Sequence, residues 1–269
     1  MNTIEFNDSI SPDMRATVEQ KLHELERSEN VRILFAIESG SRAWGFPSPD
    51  SDYDARFVYA RPVDWYLSIS PGRDVIELPI EGDLDINGWD IKKALGLLIK
   101  PNPVLLEWLS SPTRYMWDDA ACQSLIAFSK KITHGQACLN HYLHLGQRQW
   151  DVYVKDKSHV SLKKYFYIVR PAMALRWLRL IPNVAPPMNF QELSKGCALD
   201  SVLTDKLHDL LVAKSKSKEL GEAERIPEVD AFIESEFKWA REVAPTLNSE
   251  KTNLSDQADK LFREIIKQS

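Results

Sequence analysis

Strand-like and helix-like hydrophobic patterns occupy different parts of this 269-residue chain. Apolar runs of strand length occur before about residue 117, among them VRILFAIESG at 31–40 and the segment that follows Asp52. After that position, apolar residues recur at the three- and four-residue spacing typical of helices. The helices predicted there cover 118–130, 134–154, 160–181, 200–216, 227–244 and 254–268. We therefore predict an α+β protein, with a mixed-sheet domain at 1–115 and an all-helical domain at 116–269.

Turn and cap residues divide the first domain into elements. Ser11 followed by Pro12 is typical of the cap and first position of a helix. The runs at 74–80 and 83–88 are joined by a tight turn and predict a β-hairpin. Asp90 precedes an apolar helical pattern, and we interpret it as the N-cap of that helix.

The composition indicates a soluble protein of the cytoplasm. Apolar residues make up 43% of the chain and charged residues 27%, and we expect no membrane partner because no apolar run approaches the roughly 20 residues that span a bilayer. The N-terminal segment lacks the pattern of a signal peptide. Cys122, Cys138 and Cys197 are widely spaced and odd in number, which favours a reducing compartment. A net charge of −5 argues against general coating of nucleic acid but is compatible with a local basic groove.

Asp52 and Asp54 flank a single tyrosine at the start of a predicted strand. The two-residue period of a strand points both side chains to one face. Carboxylates that close together raise each other's proton affinity unless a cation neutralises them. Hard oxygen ligands suit Mg²⁺, which takes further ligands from substrate phosphates. We predict a metal site here, although carboxylates in such a turn-rich segment also occur simply as turn and edge-strand residues.

Two further features complete this predicted site. Gly40 and Ser41 follow a buried strand, where a glycine permits close approach of backbone and a serine hydroxyl helps to hold a phosphate. Taken alone, the pair is also typical of a turn that ends a strand. Asp85 lies on a later strand and would complete a site for two metals, helping to deprotonate an attacking hydroxyl. The neighbouring Asp83 is interpreted as a turn residue.

Two arginines lie close to these residues in the sequence. Arg42 follows Ser41 and suits bidentate contact with a triphosphate oxygen. Arg56 lies two residues past Asp54 on the same strand face, where an ion pair with the carboxylates is expected. A structural salt bridge is an equal alternative for either arginine.

The helix predicted at 160–181 has two faces. Lys163, Tyr167 and Arg170 share one face, which suits contact with phosphates or a stacked base, while an exposed solvated face is the plain alternative. The other face carries the apolar residues expected in the core: Phe166, Val169, Met173 and Trp177.

The Gly40-Ser41 pair, the Asp52-Tyr53-Asp54 triplet and the later strand aspartate resemble the nucleotidyltransferase signature of the DNA polymerase β superfamily. More narrowly, three stretches resemble the RNA-repair-pathway polymerase β family, whose members are described as RNA-ligase-associated nucleotidyltransferases. These stretches are GSRAWGFPSPDSDYDARFVY, WDIKKALGLLIKPNPVLLEWLSSP and KKYFYIVRPAMALRWL. The resemblance covers roughly residues 30 to 181 and is looser in the last third of the chain.

The resemblance implies a polymerase-β-like nucleotidyltransferase domain, followed by helices that bind the nucleotide and the acceptor. It also implies transfer of a nucleoside monophosphate from an NTP, for instance ATP, to a hydroxyl of an RNA end, with release of pyrophosphate. Gly40 and Ser41 would hold the triphosphate. Asp52 and Asp54 would bind two Mg²⁺ ions, replaceable by Mn²⁺ in vitro, and Asp85 would complete the metal site.

Three other functions are compatible with the same residues. The acceptor is alternatively a protein hydroxyl, which fits an acidic chain without a long basic stripe, or a small molecule of the antibiotic type. A non-catalytic module that senses nucleotide or RNA is the third alternative. The intact set of three aspartates argues against this last function.

Overall fold

The computed structural model describes residues 9–70, 72–100, 102–132, 134–182, 184–216, 222–246 and 253–268. The chain divides into two units, which we call the sheet unit and the helical unit. The sheet unit contains the described residues within 9–43, 52–132 and 253–268, and the helical unit contains those within 44–51 and 134–246. The helices within 116–133 and 251–269 therefore group with the sheet, whereas the predicted boundary assigned them to the helical domain.

The bounds of the elements are as follows. The strands are β1 (Arg32–Glu38), β2 (Tyr53–Ala60), β3 (Val75–Glu77), β4 (Leu84–Asp90), β5 (Arg114–Trp117), β6 (His159–Ser161) and β7 (Glu222–Glu224). The helices are α1 (Pro12–Glu29), α2 (Gly40–Trp44), α3 (Val63–Tyr66), α4 (Ile91–Ile99), α5 (Pro103–Leu109), α6 (Asp119–Ser129), α7 (Gly135–Tyr153), α8 (Leu162–Leu180), α9 (Phe190–Gly196), α10 (Ser201–Lys216), α11 (Pro227–Val243) and α12 (Ser255–Ile266). Among the described residues, no helix is both long and apolar enough to cross a membrane.

The sheet unit is built on a five-stranded mixed sheet with the strand order β3-β4-β2-β1-β5. Strand β1 runs antiparallel to β2 and β5, while β2 runs parallel to β4. Strand β3 pairs antiparallel with β4 and forms the predicted hairpin. The mixed sheet and the many helices confirm the predicted α+β class.

The parallel pairing of β2 with β4 determines where the polar residues of the sheet lie. Parallel neighbours need a crossover connection, and residues 61–83 provide it through α3 and β3. The register then sets Tyr53 opposite Leu84 and Asp54 opposite Asp85. Both strands consequently begin at the same edge of the sheet, and their first carboxylates lie side by side.

Helix α1 covers one face of the sheet. Its N-cap is Ser11, as predicted, and the Ser11 side chain accepts a hydrogen bond from the backbone N–H of Met14 at 3.2 Å. Val18 and Leu22 are completely buried and belong to the same core cluster as Phe57 of β2. Burial of one such leucine side chain stabilises the fold by about 2 kcal/mol.

Helices α4, α6 and α12 form a second packed group in the sheet unit. Asp90 caps α4 as predicted, because its side chain accepts from the backbone N–H of Lys92 at 2.7 Å. Helix α12 packs against α4 and α6. Arg32 of β1 binds Asp118 at 2.8 Å and the backbone oxygen of Ile265 at 3.0 Å, so strand β1 is tied directly to α12.

The helical unit contains α7 to α11 and a small antiparallel sheet of β6 and β7. This sheet corrects the all-helical prediction, because strands of three residues leave too little pattern to recognise. Helix α8 packs against α7, α9 and α11. Phe166, Val169 and Met173 of α8 are buried as predicted, while Trp177 is half-buried and donates from its indole nitrogen to the backbone oxygen of Val184.

Residues 44–51 pack within the helical unit although they connect two parts of the sheet unit. The Phe46 ring stacks on Phe166 with a centroid distance of 4.9 Å and meets Phe190 edge to face. Gln191 donates to the backbone oxygen of Gly45 at 2.7 Å. The buried Lys214 donates from Nζ to the backbone oxygen of Phe46. Side chains of three helices thus fix this short segment.

Candidate active site

Asp54 and Asp85 form the centre of the candidate site. They are direct neighbours across the parallel pair of β2 and β4. Their side chains are 29% and 31% exposed, so both carboxylates are accessible to a ligand. Strand geometry places Asp54 and Arg56 on one face, and the structure therefore collects two negative groups and one positive group at this edge of the sheet.

Arg56 lies between the two carboxylates. Its Nη2 atom is 2.9 Å from Asp54 Oδ1 and 2.6 Å from Asp85 Oδ2. Its Nη1 atom donates to the backbone oxygens of Ala55 and Asp85 at 3.1 and 3.0 Å. The guanidinium group thus neutralises part of the charge of the aspartate pair, and the ion pair expected from the sequence is present.

A buried glutamate fixes the start of β2. Glu38 at the end of β1 has no exposed surface, and its Oε1 accepts the backbone N–H of Asp54 at 2.9 Å. Its Oε2 accepts the hydroxyl proton of Tyr115 at 2.5 Å. Burial raises the pKa of Glu38 to about 7, with a smaller contribution from the Asp54 carboxylate, although the two hydrogen bonds and Arg42 act in the opposite direction.

Sequence reasoning missed the role of Glu38 and Tyr115. The signal for Glu38 was present, because it is a charged residue that directly follows the apolar run 33–37 and precedes the Ser39-Gly40 turn. A buried carboxylate at such a position needs donors. The partner Tyr115 lies on β5, which the sequence did not reveal as a strand.

Gly40 is required by the geometry of the turn after β1. It has a φ of +63°, which favours glycine, and a Cβ built at this position would lie 2.1 Å from Asp54 Oδ2. The carboxylate of Asp54 therefore occupies the space that a side chain would need. Ser41 is buried and follows Gly40 in the short helix α2.

Asp52 and Arg42 lie at the border of this site. Asp52 directly precedes β2, and its side chain is exposed. Arg42 is buried, donates from Nε to the backbone oxygen of Asp52 at 3.2 Å and from Nη1 to the backbone oxygen of Ser9 at 3.1 Å. Its guanidinium also lies 3.8 Å from the centre of the Tyr53 ring. Arg42 thus holds two loops together in this structure.

The remaining predicted site residues belong to the helical unit. Lys163 and Tyr167 are half-buried, and the Tyr167 ring meets Trp44 edge to face at 5.4 Å. Arg170 is 3% exposed, donates from Nε to the backbone oxygen of Met188 at 3.0 Å and lies 4.9 Å from the Trp44 ring. Of the three residues, Arg170 is the one that is enclosed by protein.

The chemistry of the donor set fits a divalent cation. Asp54 and Asp85 offer carboxylate oxygens side by side, and Asp52 lies directly before the strand that carries Asp54. Mg²⁺ prefers such oxygen ligands and often uses only one or two protein carboxylates. In the part of the chain that the structure describes, no three His, Cys, Asp or Glu side chains are grouped closely enough to hold a metal ion. The fit therefore rests on the aspartate pair.

The mixed sheet, the two adjacent strand aspartates and the glycine turn agree with the family that the sequence motifs resemble. The sequence model of the RNA repair pathway DNA polymerase beta family matches residues 14–264, and the chain belongs to this family. The resemblance stated from the sequence motifs is thereby confirmed.

Two further comparisons describe relatives of the chain. The uncharacterized protein YcgL of Bacillus subtilis (strain 168) is 37% identical over 255 residues, which cover 95% of this chain and 97% of that protein. Among solved structures, a nucleotidyltransferase-like protein from Exiguobacterium sibiricum 255-15 is 11% identical, with a TM-score of 0.31 and coverage of 94% of this chain and 80% of that one.

Proposed function

We propose that this protein transfers a nucleoside monophosphate from a nucleoside triphosphate to the hydroxyl of an RNA end in the cytoplasm. The observation that carries the proposal is the parallel pairing of β2 with β4, which sets Asp54 beside Asp85 and next to the Gly40 turn. Membership of the RNA repair pathway family supports RNA as the acceptor. The three cysteines are free thiols, which agrees with a reducing compartment.

Asp54 and Asp85, with Asp52, would hold two Mg²⁺ ions, for which Mn²⁺ is a substitute in vitro. Ions at this place would neutralise charge on the triphosphate and lower the pKa of the attacking hydroxyl. Phosphoryl transfer needs little covalent participation by the protein, so charge and position dominate the catalysis. Glu38 contributes to position, because it holds the backbone of Asp54 where β2 begins.

The proposed reaction is a single displacement. The acceptor oxygen forms a bond to the α-phosphorus, and the bond from that phosphorus to the β-phosphate oxygen breaks. The electron pair of the broken bond leaves with pyrophosphate. Asp85 accepts the proton of the hydroxyl, because its carboxylate is partly exposed at the edge of the sheet. Gly40 lies next to Asp54, and we propose that the triphosphate binds at Gly40 and Ser41.

In the helical unit, Lys163 and Tyr167 are the residues that we propose for nucleotide binding. Tyr167 is half-buried and leaves part of its ring for a base, while the ammonium group of Lys164 lies 5.7 Å from its centre. Bases stack readily on such tyrosine rings. Arg170 and Arg42 donate to backbone oxygens, and we propose that they hold the protein backbone near the nucleotide.

Nucleotidyl transfer is tested with NTPs that carry ³²P at the α-phosphate. Each NTP is incubated with the protein, Mg²⁺ and, in parallel, an RNA pool, a protein mixture or small hydroxyl compounds. We expect label on RNA only. Label on protein or on a small molecule would replace RNA as the acceptor, and NTP binding without any labelled product would favour a non-catalytic module.

The decisive variant is Asp54→Asn, with Asp83→Asn as its matched control. Asp54→Asn removes a charged ligand from the site, and we expect the transfer rate to fall by about 10² to 10³. Asp83 lies in the exposed turn just before β4, so Asp83→Asn should retain the native rate. Equal rates for the two variants would contradict the proposed role of Asp54.

A further inference from the structure

Arg56 is the cation that the protein itself supplies to the Asp54–Asp85 pair. A single nitrogen, Nη2, binds one oxygen of each carboxylate at 2.9 and 2.6 Å. The Arg56 side chain is only 16% exposed, and its second terminal nitrogen is held by two backbone oxygens. The guanidinium group therefore has a defined position between the two side chains proposed to bind metal.

A divalent cation and this guanidinium group compete for the same oxygens. Charge-assisted hydrogen bonds to an arginine are among the stronger polar contacts in proteins. A metal that binds Asp54 Oδ1 and Asp85 Oδ2 must first break both contacts of Nη2. The free energy of breaking them is subtracted from the free energy of metal binding.

We propose that Arg56 lowers the affinity of the Asp54–Asp85 pair for a divalent cation and stabilises the metal-free protein. This inference rests on the metal site of the proposed function. When metal binds, Nη2 releases the carboxylates, while the Nη1 contacts to the backbone oxygens of Ala55 and Asp85 still hold the guanidinium group near the site. Arg56 is thus a positioning residue for the carboxylates and a determinant of the metal concentration that the protein needs.

The test measures metal binding without nucleotide. Mn²⁺ is titrated into the full chain, and the free ion is followed by electron paramagnetic resonance. Arg56→Met removes the competing charge but keeps an unbranched apolar side chain. We expect Mn²⁺ to bind this variant about tenfold more tightly than the native protein, which corresponds to about 1.4 kcal/mol.

The matched control is Arg32→Met. Arg32 also pairs with a partly exposed aspartate, Asp118, at 2.8 Å and donates to a backbone oxygen, but it lies away from the aspartate pair. Its substitution should leave the Mn²⁺ affinity unchanged. Melting temperatures give a second readout: both variants should melt below the native protein without metal, and saturating Mn²⁺ should raise the melting temperature of Arg56→Met most.

Arg56→Lys provides a second variant in case Arg56→Met does not fold. A lysine keeps the charge but loses the planar fork of the guanidinium group, so we expect an intermediate affinity for Mn²⁺. Equal or weaker Mn²⁺ binding by the variants would overturn the inference, as would an absence of Mn²⁺ binding by every protein tested. The proposed function fails separately, when the native protein does not transfer label from any NTP.

Discussion

Arg56 in the sheet unit and Arg170 in the helical unit are both largely buried guanidinium groups, yet they bind different partners. Arg56 binds the carboxylates of Asp54 and Asp85. Arg170 donates to the backbone oxygen of Met188 and lies over the ring of Trp44. Lys214 repeats the second arrangement, because it donates to the backbone oxygen of Phe46 and lies 5.0 Å from the centre of that residue's ring.

This difference in partners decides which cation a metal ion could replace: we propose that it can replace Arg56, but not Arg170 or Lys214. A carboxylate carries a full charge and can bind either a guanidinium group or a metal ion. A carbonyl oxygen and an aromatic ring carry no net charge, so the partners of Arg170 and Lys214 offer a metal ion little favourable binding energy. The sheet unit therefore has the features of a binding site, whereas Arg170 and Lys214 have those of structural residues.

Glu38 differs from Asp54 and Asp85 in the sheet unit, because neutral donors and not a guanidinium group form the hydrogen bonds to its carboxylate. Its pKa of about 7 lies well above the ordinary value of 4.5, so the folded protein binds this proton more tightly than the unfolded chain does. The resulting stability is complete below pH 4.5 and is lost as the pH rises through 7. We expect the free energy of unfolding to fall by about 2 to 3 kcal/mol between pH 5 and pH 8 because of this group.

Urea unfolding at the two pH values measures this effect. In Glu38→Gln the amide oxygen still accepts from Asp54, and the amide nitrogen can donate to Tyr115, so the variant should lose this part of the pH dependence. Glu24→Gln, on the exposed surface of α1, should keep it. A native pH dependence in Glu38→Gln would show that Glu38 is ionised throughout.

Substitution of Lys214 tests whether a buried cation of the helical unit stabilises the fold. Lys214→Met retains the apolar length of the side chain but leaves the backbone oxygen of Phe46 without this donor. We expect a loss of about 2 kcal/mol in the free energy of unfolding, since an unsatisfied buried acceptor costs about 1 to 3 kcal/mol. Thermal melts should show little change for Lys216→Met, which is exposed on the same helix. Identical melts for the two variants would exclude a structural role of Lys214.

Arg170→Lys should have the smallest effect. The lysine loses the flat group above Trp44 and the Nε contact to Met188, and we expect the protein to lose about 1 kcal/mol of stability. The affinity for NTP should remain within about twofold of the native value, because the arginine is enclosed by protein. Arg148→Lys, on an exposed position of α7, is the control for both measurements. A selective loss of NTP affinity would instead assign Arg170 to the nucleotide site.

Most of the fold could be predicted from helix caps, turns and hydrophobic periodicity, because each of these depends on residues only a few positions apart. The caps at Ser11 and Asp90 and the hairpin of β3 and β4 follow directly from sequence patterns. Short strands such as β5 escaped prediction, because their existence depends on pairing with a distant strand. The same reason applies to residues 44–51, which group with the helical unit through contacts to α8, α9 and α10.

The candidate site was predictable as a set of residue types, but not as an arrangement. Asp-x-Asp predicts a shared face for Asp52 and Asp54, whereas the direct neighbour of Asp54 in the sheet is Asp85. That proximity depends on the parallel pairing of β2 with β4, which no local pattern encodes. Likewise, the sequence places Arg56 near Asp54, whereas its position between two carboxylates depends on a strand 29 residues further along.

The place of α12 has a consequence for how the protein is made. This helix packs against α4 and α6, and the backbone oxygen of Ile265 binds Arg32 of the central strand β1. During translation, β1 leaves the ribosome more than two hundred residues before Ile265 does. The unit that carries the aspartate pair is therefore complete only after α12 has been synthesised, and a chain that ends before α12 lacks the partners of α4, α6 and Arg32.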